Sequence, residues 1–387
     1  MRQVNSSEKF QRVTTTLLTT CILTIGLSPI STVVADQIEY TTYFFKDNSE
    51  NKVATSAFSL AKTLWHRTQV LLDVELDQTT VPPLDGVTGA SRPARQSKSD
   101  FKKNRGQIIA GVDQGLGDNT RLVASYYFSQ EVDYSSQAVV GGLTQELFEK
   151  NLTLSIRAQY TMDSVGEITL SGAILNRFKE THQVSLIVTQ LLSPSTILRF
   201  GGDAMRNQGY LSDPYRKIAL PRENNVTLKD TVAERHPGTR FRQAAWGELS
   251  QHLGELQASI ILNYRYYWDD WGVKSHTATL KLNKYITPDW ILSPEYRYYV
   301  QNEADFGGYA AGNRKAYDLG DYKLSIFSSN NAGLGLTCFL RTFARQHPDR
   351  DFLMNSSISL MYFRYFNDTA PSNFSANVLE TRLKFTF

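Results

Sequence analysis

The stretch that decides the fold is LETRLKFTF, residues 379–387, whose side chains alternate in character from one position to the next. Leu379, Leu383 and Phe385 fall on one side of an extended chain, and Arg382 and Lys384 fall on the other, because successive side chains of a strand point to opposite faces. Two environments require such a strand: the half-buried face of a soluble sheet, or a membrane barrel with lipid outside and water inside. The rest of the chain decides between them.

The same alternation is clearest over residues 255–269, and it recurs over 152–160 and 290–301. The apolar face of the first segment consists of Leu256, Ala258, Ile260, Leu262, Tyr264, Tyr266 and Trp268. This face changes from aliphatic to aromatic towards one end, and Tyr and Trp favour the membrane interface because their rings are apolar and their tips are polar. The gradient indicates a strand that faces lipid.

Composition favours one large barrel over two soluble domains. The 387 residues include 20 Phe and 20 Tyr but only 12 Pro. Beyond the amino-terminal segment, no stretch approaches the roughly 18 apolar residues that a spanning helix needs. The sequence therefore excludes a helical membrane protein and leaves the β-barrel.

Residues 1–35 are predicted to be a signal peptide, and residues 36–387 are predicted to form the barrel domain. Arg2, Lys9 and Arg12 precede the apolar segment 17–30, and Val33-Val34-Ala35 provides small residues for cleavage. Cys21 lies inside the apolar segment in a context that fits a lipoprotein attachment site poorly, so we expect no lipid anchor.

Charge and cysteine content exclude several classes of function. Cleavage would remove three basic residues and Glu8, which leaves 38 basic and 37 acidic side chains. This balance predicts neither a nucleic-acid partner nor an anionic-membrane partner. Cys338 would be the remaining cysteine, so a disulfide framework, a CxxC redox pair and a cysteine zinc site are all excluded. We expect Cys338 to act as a small apolar side chain that faces lipid.

The predicted fold class is all-β: a transmembrane antiparallel β-barrel of about 16 strands, within a range of about 14 to 18. Residues 78–104 have the Pro and Gly content of a loop, and residues 49–64 fit either a helical turn or a strand. The predicted strands are 38–46, 66–77, 105–115, 119–132, 150–161, 166–177, 180–191, 195–207, 239–250, 254–268, 275–285, 288–301, 317–328, 331–342, 353–366 and 376–387.

Counting these strands backwards assigns a side to every connection, provided that the carboxy terminus lies at the periplasmic rim. The tight turns are then predicted on the outer side; they are 117–119, 193–195, 252–254, 287–289 and 329–331. The long connections are predicted on the periplasmic side; they are 78–104, 133–149, 208–238, 302–316 and 343–352. The sequence thus predicts functional loops that face the periplasm, the reverse of ordinary porins. Outside labelling of a cysteine at position 225 would contradict this orientation.

Distinctive sequence blocks lie in or beside the long connections. The main ones are GYLSDPYR (209–216), ERHPGTR (234–240) and YRYYWDDWGVKSHT (264–277), with shorter ones at 89–93, 304–306 and 321–325. Together they resemble a bacterial family of outer-membrane β-barrel proteins catalogued as a domain of unknown function, over residues 39–387. The carboxy-terminal strand is also similar to the signal by which such barrels are recognised for insertion. The resemblance implies the outer membrane of a Gram-negative bacterium and the barrel assembly machinery as a partner, but no reaction.

A set of charged side chains is predicted at the periplasmic ends of the strands. It comprises Asp213, Arg216, Glu234, His236, Arg240, Asp269, Asp270, His276 and Asp305. Carboxylates and imidazoles in such a group could bind a metal ion or a polar ligand. The alternative, which we favour, is that Arg forms ion pairs with Asp and Glu and fixes the long loops. The sequence identifies no particular cofactor or metal.

No catalytic residue is assigned, and no enzyme is predicted. Ser275 and His276 are adjacent in a strand and must point to opposite faces. The chain contains neither a GxSxG nor an HExxH motif, and the glycines near 307–312 lack the lysine of a phosphate-binding loop.

The function that the sequence favours is a porin-like channel or envelope scaffold with a charged lumen and an unassigned substrate. The side chains predicted to line the lumen and to set ion preference are Arg157, Arg199, Asp203, Arg265, Glu295 and Arg297. The alternative is a ligand- or metal-handling barrel that cooperates with periplasmic proteins in cofactor or redox chemistry. Membrane lipids, the barrel assembly machinery and periplasmic proteins are the expected partners.

Overall fold

The structure is a computed structural model that describes residues 36–65, 67–81, 101–168, 174–212, 217–219, 231–233, 235–306, 322–367 and 374–387. The predicted signal peptide, residues 1–35, and position 225 lie outside the described residues. Within the described part, no helix is long and apolar enough to cross a membrane.

Most of the described residues belong to strands. The strands are β1 (Gln37–Asp47), β2 (Lys52–Trp65), β3 (Thr68–Val81), β4 (Phe101–Gly115), β5 (Thr120–Gln130), β6 (Tyr134–Leu147), β7 (Leu152–Ile168), β8 (Ile174–Ser193), β9 (Thr196–Gly209), β10 (Lys217–Ala219), β11 (Thr231–Ala233), β12 (Thr239–Leu253), β13 (Ala258–Asp269), β14 (Lys274–Thr287), β15 (Trp290–Gln301), β16 (Phe327–Phe339), β17 (Ser357–Asn367) and β18 (Phe374–Thr386). Helical structure in this part is limited to α1 (Arg341–Gln346) and two 3₁₀ helices, Tyr322–Leu324 and Pro348–Leu353.

Sixteen of the described strands form one closed antiparallel barrel, and β10 and β11 form a separate two-stranded hairpin. Closure depends on the pairing of β1 with β18, whose register runs from Gln37 opposite Thr386 to Asp47 opposite Ala376. A closed barrel leaves no strand edge unpaired, which is the condition for a sheet to exist in lipid. The predicted all-β barrel is confirmed.

Alternate side chains of the strands face the exterior and the bore, as the sequence pattern predicts. On β13, Leu262 and Tyr264 are 47% and 50% exposed, whereas Asn263 between them is half-buried. On β18, Leu379 is 39% exposed and Glu380 only 8%. Large apolar side chains therefore cover the outside, and polar side chains pack inside the barrel.

The two ends of the barrel differ in their connections. The terminal rim holds Gln37 and Thr386 together with short turns at 116–119, 148–151, 194–195, 254–257 and 288–289, and with the helical segment 340–356. The opposite end, the distal rim, holds the connections 48–51, 131–133 and 270–273, and the strands that flank 82–100, 169–173, 210–238, 302–326 and 368–373 end there. The longest connections thus leave the barrel at the distal rim.

The predicted sides of the connections were wrong. The tight turns near 117–119, 194–195 and 288–289 lie on the same rim as the carboxy terminus, and the connections 210–238 and 302–326 leave from the other rim. The cause is the predicted strand 317–328, which was counted in addition to 331–342: its described part is the 3₁₀ helix Tyr322–Leu324 and the first residues of β16. This extra strand reversed the sides assigned to the connections 117–119, 193–195, 208–238, 252–254, 287–289 and 302–316. The helical segment 340–356 does lie on the terminal rim, as predicted.

The strand count was correct only because errors cancelled. The prediction missed β2 and β6, divided β16 in two, and placed a strand at 166–177 across the end of β7 and the start of β8. Small inward side chains on β2, such as Ala57 and Ser59, weaken its alternation, and Gly141-Gly142 gives β6 the composition of a loop. Residues 52–64 of the ambiguous segment belong to strand β2.

Polar residues inside β16 explain why it resembled a turn. Three of them, Ser329, Asn330 and Asn331, lie within the strand. All three pair with β15, and Asn330 and Asn331 also pair with β17. The Tyr296 hydroxyl donates to Oδ1 of Asn330 at 2.6 Å, and Oγ of Ser329 is 2.9 Å from the Tyr365 hydroxyl. Their side chains therefore act as hydrogen-bond partners for tyrosines of adjacent strands, a role that local turn propensity cannot indicate.

Candidate functional site: the bore and the distal rim

One wall of the bore is lined by ion pairs. Arg105 on β4 lies 2.5 Å from carboxylate oxygens of both Glu75 and Asp77 on β3. Three further basic side chains have carboxylate partners on neighbouring elements: Lys103 with Asp133 at 2.7 Å and with Glu131, Arg121 with Asp113 at 2.9 Å, and Lys179 with Asp163 at 2.8 Å. We call these residues the paired wall. Its basic groups are neutralised by carboxylates in the barrel itself.

A second wall carries arginines without such partners. Arg242 on β12, Arg265 on β13 and Arg297 on β15 have inward positions in the strand alternation. In the described part of the chain, none of the three forms an ion pair with a carboxylate. Nε of Arg242 is buried and has no hydrogen-bond partner among the described residues. We call these three residues the arginine wall.

The two walls face each other across the bore. In the ring of sixteen strands, β13 and β3 are eight strands apart, which is half of the circumference. Arg265 and Glu75 each lie seven residues from the terminal-rim end of their strand, so they are at a similar level in the barrel. The charge difference across the bore has two sources: the guanidinium groups of the arginine wall, and the six carboxylates of the paired wall, which outnumber its four basic groups.

The structure places the six residues predicted to line the lumen at inward positions of their strands. Two of them form ion pairs with residues of the neighbouring strand: Arg199 with Glu248 at 3.2 Å, and Glu295 with Lys281 at 3.8 Å. Asp203 accepts a hydrogen bond from Oγ of Ser185 at 2.7 Å and is a charged neighbour of Arg265. The remaining ones are Arg157, Arg265 and Arg297. Their effect on ion preference stays a prediction.

The distal rim is organised around the carboxylate of Asp269, whose side chain is fully buried. Arg240 donates to Oδ2 from Nε at 2.9 Å and also from Nη2, and the Tyr267 hydroxyl donates to the same oxygen at 2.5 Å. The backbone amides of Trp271 and Val273 donate to Oδ1, each at 3.0 Å. Five donors leave this carboxylate no free position for a ligand.

An apolar cluster packs beside this carboxylate and joins the long connections to the barrel. Its buried members are Trp271, Val273, Ala304 and Leu324, and Leu211, Tyr267 and Phe306 pack against them. We call these residues the Trp271 cluster. The guanidinium of Arg240 lies 4.3 Å from the centre of the Trp271 ring, a cation–π contact, and Nε1 of Trp271 donates to the carbonyl of Thr239 at 2.8 Å.

His236 belongs to the same assembly. Its backbone amide donates to Oγ of Ser212 at 2.9 Å, and its Nδ1 lies 3.1 Å from the carbonyl oxygen of Leu211. Its ring packs edge-on against Trp271, with centroids 5.3 Å apart. The contacts tie residues 211–212 to residues 235–240 and to β13, so this histidine holds two chain segments together.

Two further rim candidates, Asp270 and Asp305, are exposed. Asp270 is exposed and accepts the backbone amide of Phe241 at 2.9 Å. Asp305 is also exposed, and its backbone amide donates to the carbonyl of Trp271 at 2.8 Å. Asp213, Arg216 and Glu234 lie outside the described residues.

His276 does not join the rim assembly. It points to the outer face of β14, where Nδ1 lies 2.6 Å from the Tyr264 hydroxyl and the ring packs against Tyr266 at a centroid distance of 4.9 Å. Within the described ranges, no group of three His, Cys, Asp or Glu side chains is arranged to hold a metal ion.

The rim candidates were also predicted on the periplasmic side, together with the carboxy terminus, and the structure places the described ones at or near the distal rim instead.

The sequence blocks in the long connections meet at this rim. Leu211 and Ser212 come from the first block, His236 and Arg240 from the second, and Trp271 from the third. Ala304, Phe306 and Leu324 come from the shorter blocks. The block at 89–93 lies outside the described residues.

A family model described as "Protein of unknown function (DUF3570)" matches residues 85–347, more than half of the 387-residue chain. The chain belongs to this family. The resemblance drawn from the sequence blocks is thereby confirmed. The match begins after β3 and ends just after α1. It includes all of the blocks that meet at the distal rim. For this DUF3570 protein, a sequence comparison with curated proteins gives no match.

Solved structures similar to this DUF3570 protein include several from Pseudomonas aeruginosa. The siderophore receptor PirA aligns over 92% of this chain and 62% of its own, with 13% identity and a TM-score of 0.45. OccK2 (OpdF), solved in complex with glucuronate, aligns over 91% and 98%, with 9% identity and a TM-score of 0.46. OccK3 (OpdO) aligns over 91% and 96%, with 10% identity and a TM-score of 0.44. The chain thus spans less than two thirds of PirA.

The sequence prediction missed the whole paired wall and one member of the arginine wall. The sequence contains a signal for both walls, because charged residues of the same sign occur two positions apart. The pairs are Glu75 and Asp77, Lys103 and Arg105, and Arg240 and Arg242. The period places each pair on one face of its strand, but only the strand order shows which basic residue meets which carboxylate.

Proposed function

We propose that this chain is a solute channel of the bacterial outer membrane whose bore favours anionic solutes. The closed barrel, its apolar exterior and its polar interior support the membrane location. Bacterial outer-membrane barrels have short periplasmic turns and longer extracellular loops. By that rule the terminal rim faces the periplasm, and the distal rim with the Trp271 cluster faces the outside.

The observation that carries the anion preference is the contrast between the two walls. Arg242, Arg265 and Arg297 have no carboxylate partner among the described residues, whereas Arg105 opposite them is paired twice. An arginine inside a membrane protein is costly and is retained where it serves transport or binding. Unpaired guanidinium groups attract anions, and their fixed fork of donors matches a carboxylate or a phosphate.

The mechanism is electrostatic selection along the bore. An anion that enters from the distal rim meets the positive potential of the arginine wall and exchanges part of its hydration for guanidinium hydrogen bonds. A cation at the same level is repelled by these groups. The path of an anion therefore follows the arginine wall and not the paired wall, whose six carboxylates outnumber its four basic groups. The low dielectric of the surrounding barrel strengthens both effects.

Planar-bilayer recording of the purified barrel tests this function. We expect steady current in a salt gradient and a reversal potential that shows anion preference. Arg265→Glu should shift the reversal potential towards cation preference, because it changes the charge of the arginine wall by two units. Arg206→Glu is the matched control, since Arg206 is exposed on the outer face of β9 and its reversal leaves the bore unchanged.

Two results would overturn the proposal. A barrel that carries no current in any condition would be a plugged scaffold. A reversal potential that responds equally to Arg265→Glu and Arg206→Glu would show that the arginine wall does not select ions. The alternative of a metal-handling barrel is not proposed, since no observation in the described part of the chain favours it.

A further inference from the structure

The outer surface of the barrel carries a row of basic side chains near the distal rim. Lys102 on β4 lies opposite Thr80 on β3, and Thr80 lies opposite Lys52 on β2. Lys52 in turn lies opposite Lys46 on β1. The row continues across the β1–β18 closure, where Asn377 lies opposite both Lys46 and Arg364. Six neighbouring strands thus contribute to one row of cross-strand partners, and four of the six side chains are basic. We call Lys46, Lys52, Lys102 and Arg364 the cation row.

All four members of the cation row are exposed and point away from the bore. They share strand parity with large apolar side chains on the exterior: Phe44 with Lys46, Phe58 with Lys52, Ile108 with Lys102 and Tyr362 with Arg364. Because side chains two apart in a strand lie on the same face, the row belongs to the surface that faces lipid.

The row lies at the level of one membrane boundary. On β2, Lys62 and Lys52 are ten residues apart, and the outward positions between them are Leu60, Phe58, Ser56 and Ala54, none of which is charged. Ten residues of a strand tilted by about 40° rise about 25 Å, which is the height of the apolar band of an outer-membrane barrel. Lys62 therefore marks the boundary near the terminal rim, and Lys52 marks the boundary near the distal rim.

The barrel itself provides little negative charge to balance the row. Lys46 pairs with Glu50 at 2.9 Å, but the side chains are 52% and 59% exposed, and ion pairs in such positions contribute little. Lys52 interacts electrostatically with the same Glu50 carboxylate, and Lys102 and Arg364 have no carboxylate partner in the described part of the chain. Moreover, Lys46 and Lys52 lie directly opposite each other, an arrangement that destabilises a sheet and that the single exposed carboxylate of Glu50 offsets only in part.

An apolar groove runs below the centre of the cation row. This open groove of about 350 Å³ is lined by Phe44, Leu379 and Tyr362 together with Lys46, Lys52 and Asn377. The Tyr362 hydroxyl and Nη1 of Arg364 both donate to Oδ1 of Asn377, at 2.7 and 2.8 Å, which orients the Arg364 guanidinium along the row. Basic groups at the membrane surface with an apolar groove beneath them match a lipid that has phosphates in its headgroup and acyl chains below.

We propose that the cation row binds the phosphate groups of a phosphorylated lipid of the outer leaflet, and that one of its acyl chains lies in the groove lined by Phe44, Leu379 and Tyr362. The site lies across the β1–β18 closure, so the bound lipid bridges the first and last strands of the barrel. This inference rests on the membrane location and orientation given under the proposed function, but not on conduction through the bore.

Lipid-dependent thermal stability tests the site. The purified barrel in a neutral detergent is titrated with diphosphorylated lipid A, with the same lipid lacking phosphates, and with inorganic phosphate. We expect only the diphosphorylated lipid to raise the unfolding temperature. The double variant Lys46→Gln/Lys52→Gln should weaken its apparent affinity about 30-fold, because each basic residue near a membrane surface contributes a factor of about five.

Two further variants separate charge from folding. Lys46→Arg/Lys52→Arg keeps both charges and should bind as the unaltered barrel does. Lys274→Gln removes an exposed lysine near the distal rim on β14, away from the row, and should also leave binding unchanged.

Equal affinity in the double glutamine variant, or an equal response to the lipid without phosphates, would overturn the proposal. A response to inorganic phosphate alone would contradict a lipid site. Conductance of the same variants should be unaltered, which separates this test from that of the bore.

Discussion

Arg240 and Asp269 form an ion pair at the distal rim in which the carboxylate is completely buried and receives three further hydrogen bonds, from the Tyr267 hydroxyl and from the amides of Trp271 and Val273. Asp269 thereby fixes the turn after β13, and Arg240 fixes the Trp271 ring by its cation–π contact. The pair thus anchors the Trp271 cluster, with its members Leu211, Ala304 and Leu324, to the barrel wall.

Asp269→Asn should destabilise the barrel by about 3–5 kcal/mol. It removes the charge partner of a buried arginine, and it replaces a carboxylate that accepts hydrogen bonds at both oxygens by an amide whose NH₂ group cannot accept them. The free energy of unfolding in detergent and hydrogen exchange of the Trp271 and Val273 amides would measure the effect. Asp270→Asn is the control, since Asp270 is exposed, and it should change stability by at most about 0.5 kcal/mol. Equal stability of the two variants would show that the buried pair does not anchor the rim.

Gly272 is required by the backbone at the same rim. Its φ is +82°, and a Cβ at this position would lie 2.2 Å from the carboxyl carbon of Asp305. Gly272→Ala should therefore cost about 1–3 kcal/mol in the free energy of unfolding. Gly247→Ala provides the comparison, because a Cβ added at Gly247, within regular strand β12, would meet no atom within 4 Å. If both alanine variants unfold alike, the strain assigned to position 272 is absent.

The two walls of the bore should respond differently to the loss of a positive charge. Arg105→Gln leaves Glu75 and Asp77 close together without a cation, and we expect a loss of about 3–5 kcal/mol. Arg265→Gln removes a guanidinium that has no carboxylate partner among the described residues, and it should leave stability unchanged or slightly improved. Chemical unfolding of both variants in the same detergent makes the comparison. A larger loss for Arg265→Gln would contradict the division into a paired and an unpaired wall.

Asp36 should make the contact between the start of β1 and the end of β2 sensitive to acid. A hydrogen bond from the Lys62 ammonium, and next the backbone amide of Thr63, hold the pKa of Asp36 below its ordinary value of 3.8. Since the pKa is lower in the folded barrel, the interaction stabilises the fold above pH 3.8 and is lost as the pH falls below that value. Asp36→Asn should lower the unfolding temperature at about pH 7 and have little effect at about pH 2. A variant effect that is the same at both pH values would refute this role.

The sequence predicted the fold well because lipid imposes a simple rule on each strand. Residues 258–269 show it fully, since apolar side chains are needed on every outward position. The rule is weaker for inward positions, which accept small and polar residues alike. For this reason β2 and β6 were missed, and the polar centre of β16 was mistaken for a turn, which in turn reversed the predicted sides of the loops.

The candidate site was less predictable because it depends on which strands are neighbours. The blocks around Ser212, His236 and Trp271 are distinctive in sequence, but their meeting at one rim follows from the strand order and register. Asp269 has the residue type of a ligand, yet its five donors give it a structural role. His276 is adjacent in sequence to this region and faces the opposite side of the sheet.

Cysteine accessibility on β13 tests the central claim, that outward side chains face lipid and inward ones face an aqueous bore. In a Cys338→Ala background, Leu262→Cys and Asn263→Cys are placed one residue apart, on opposite faces of the strand. After reconstitution into lipid vesicles, a small water-soluble thiol reagent should label Asn263→Cys and leave Leu262→Cys unlabelled, while a lipid-soluble quencher should reach a fluorophore only at position 262. Equal labelling of the two positions, or faster labelling at position 262, would contradict the account.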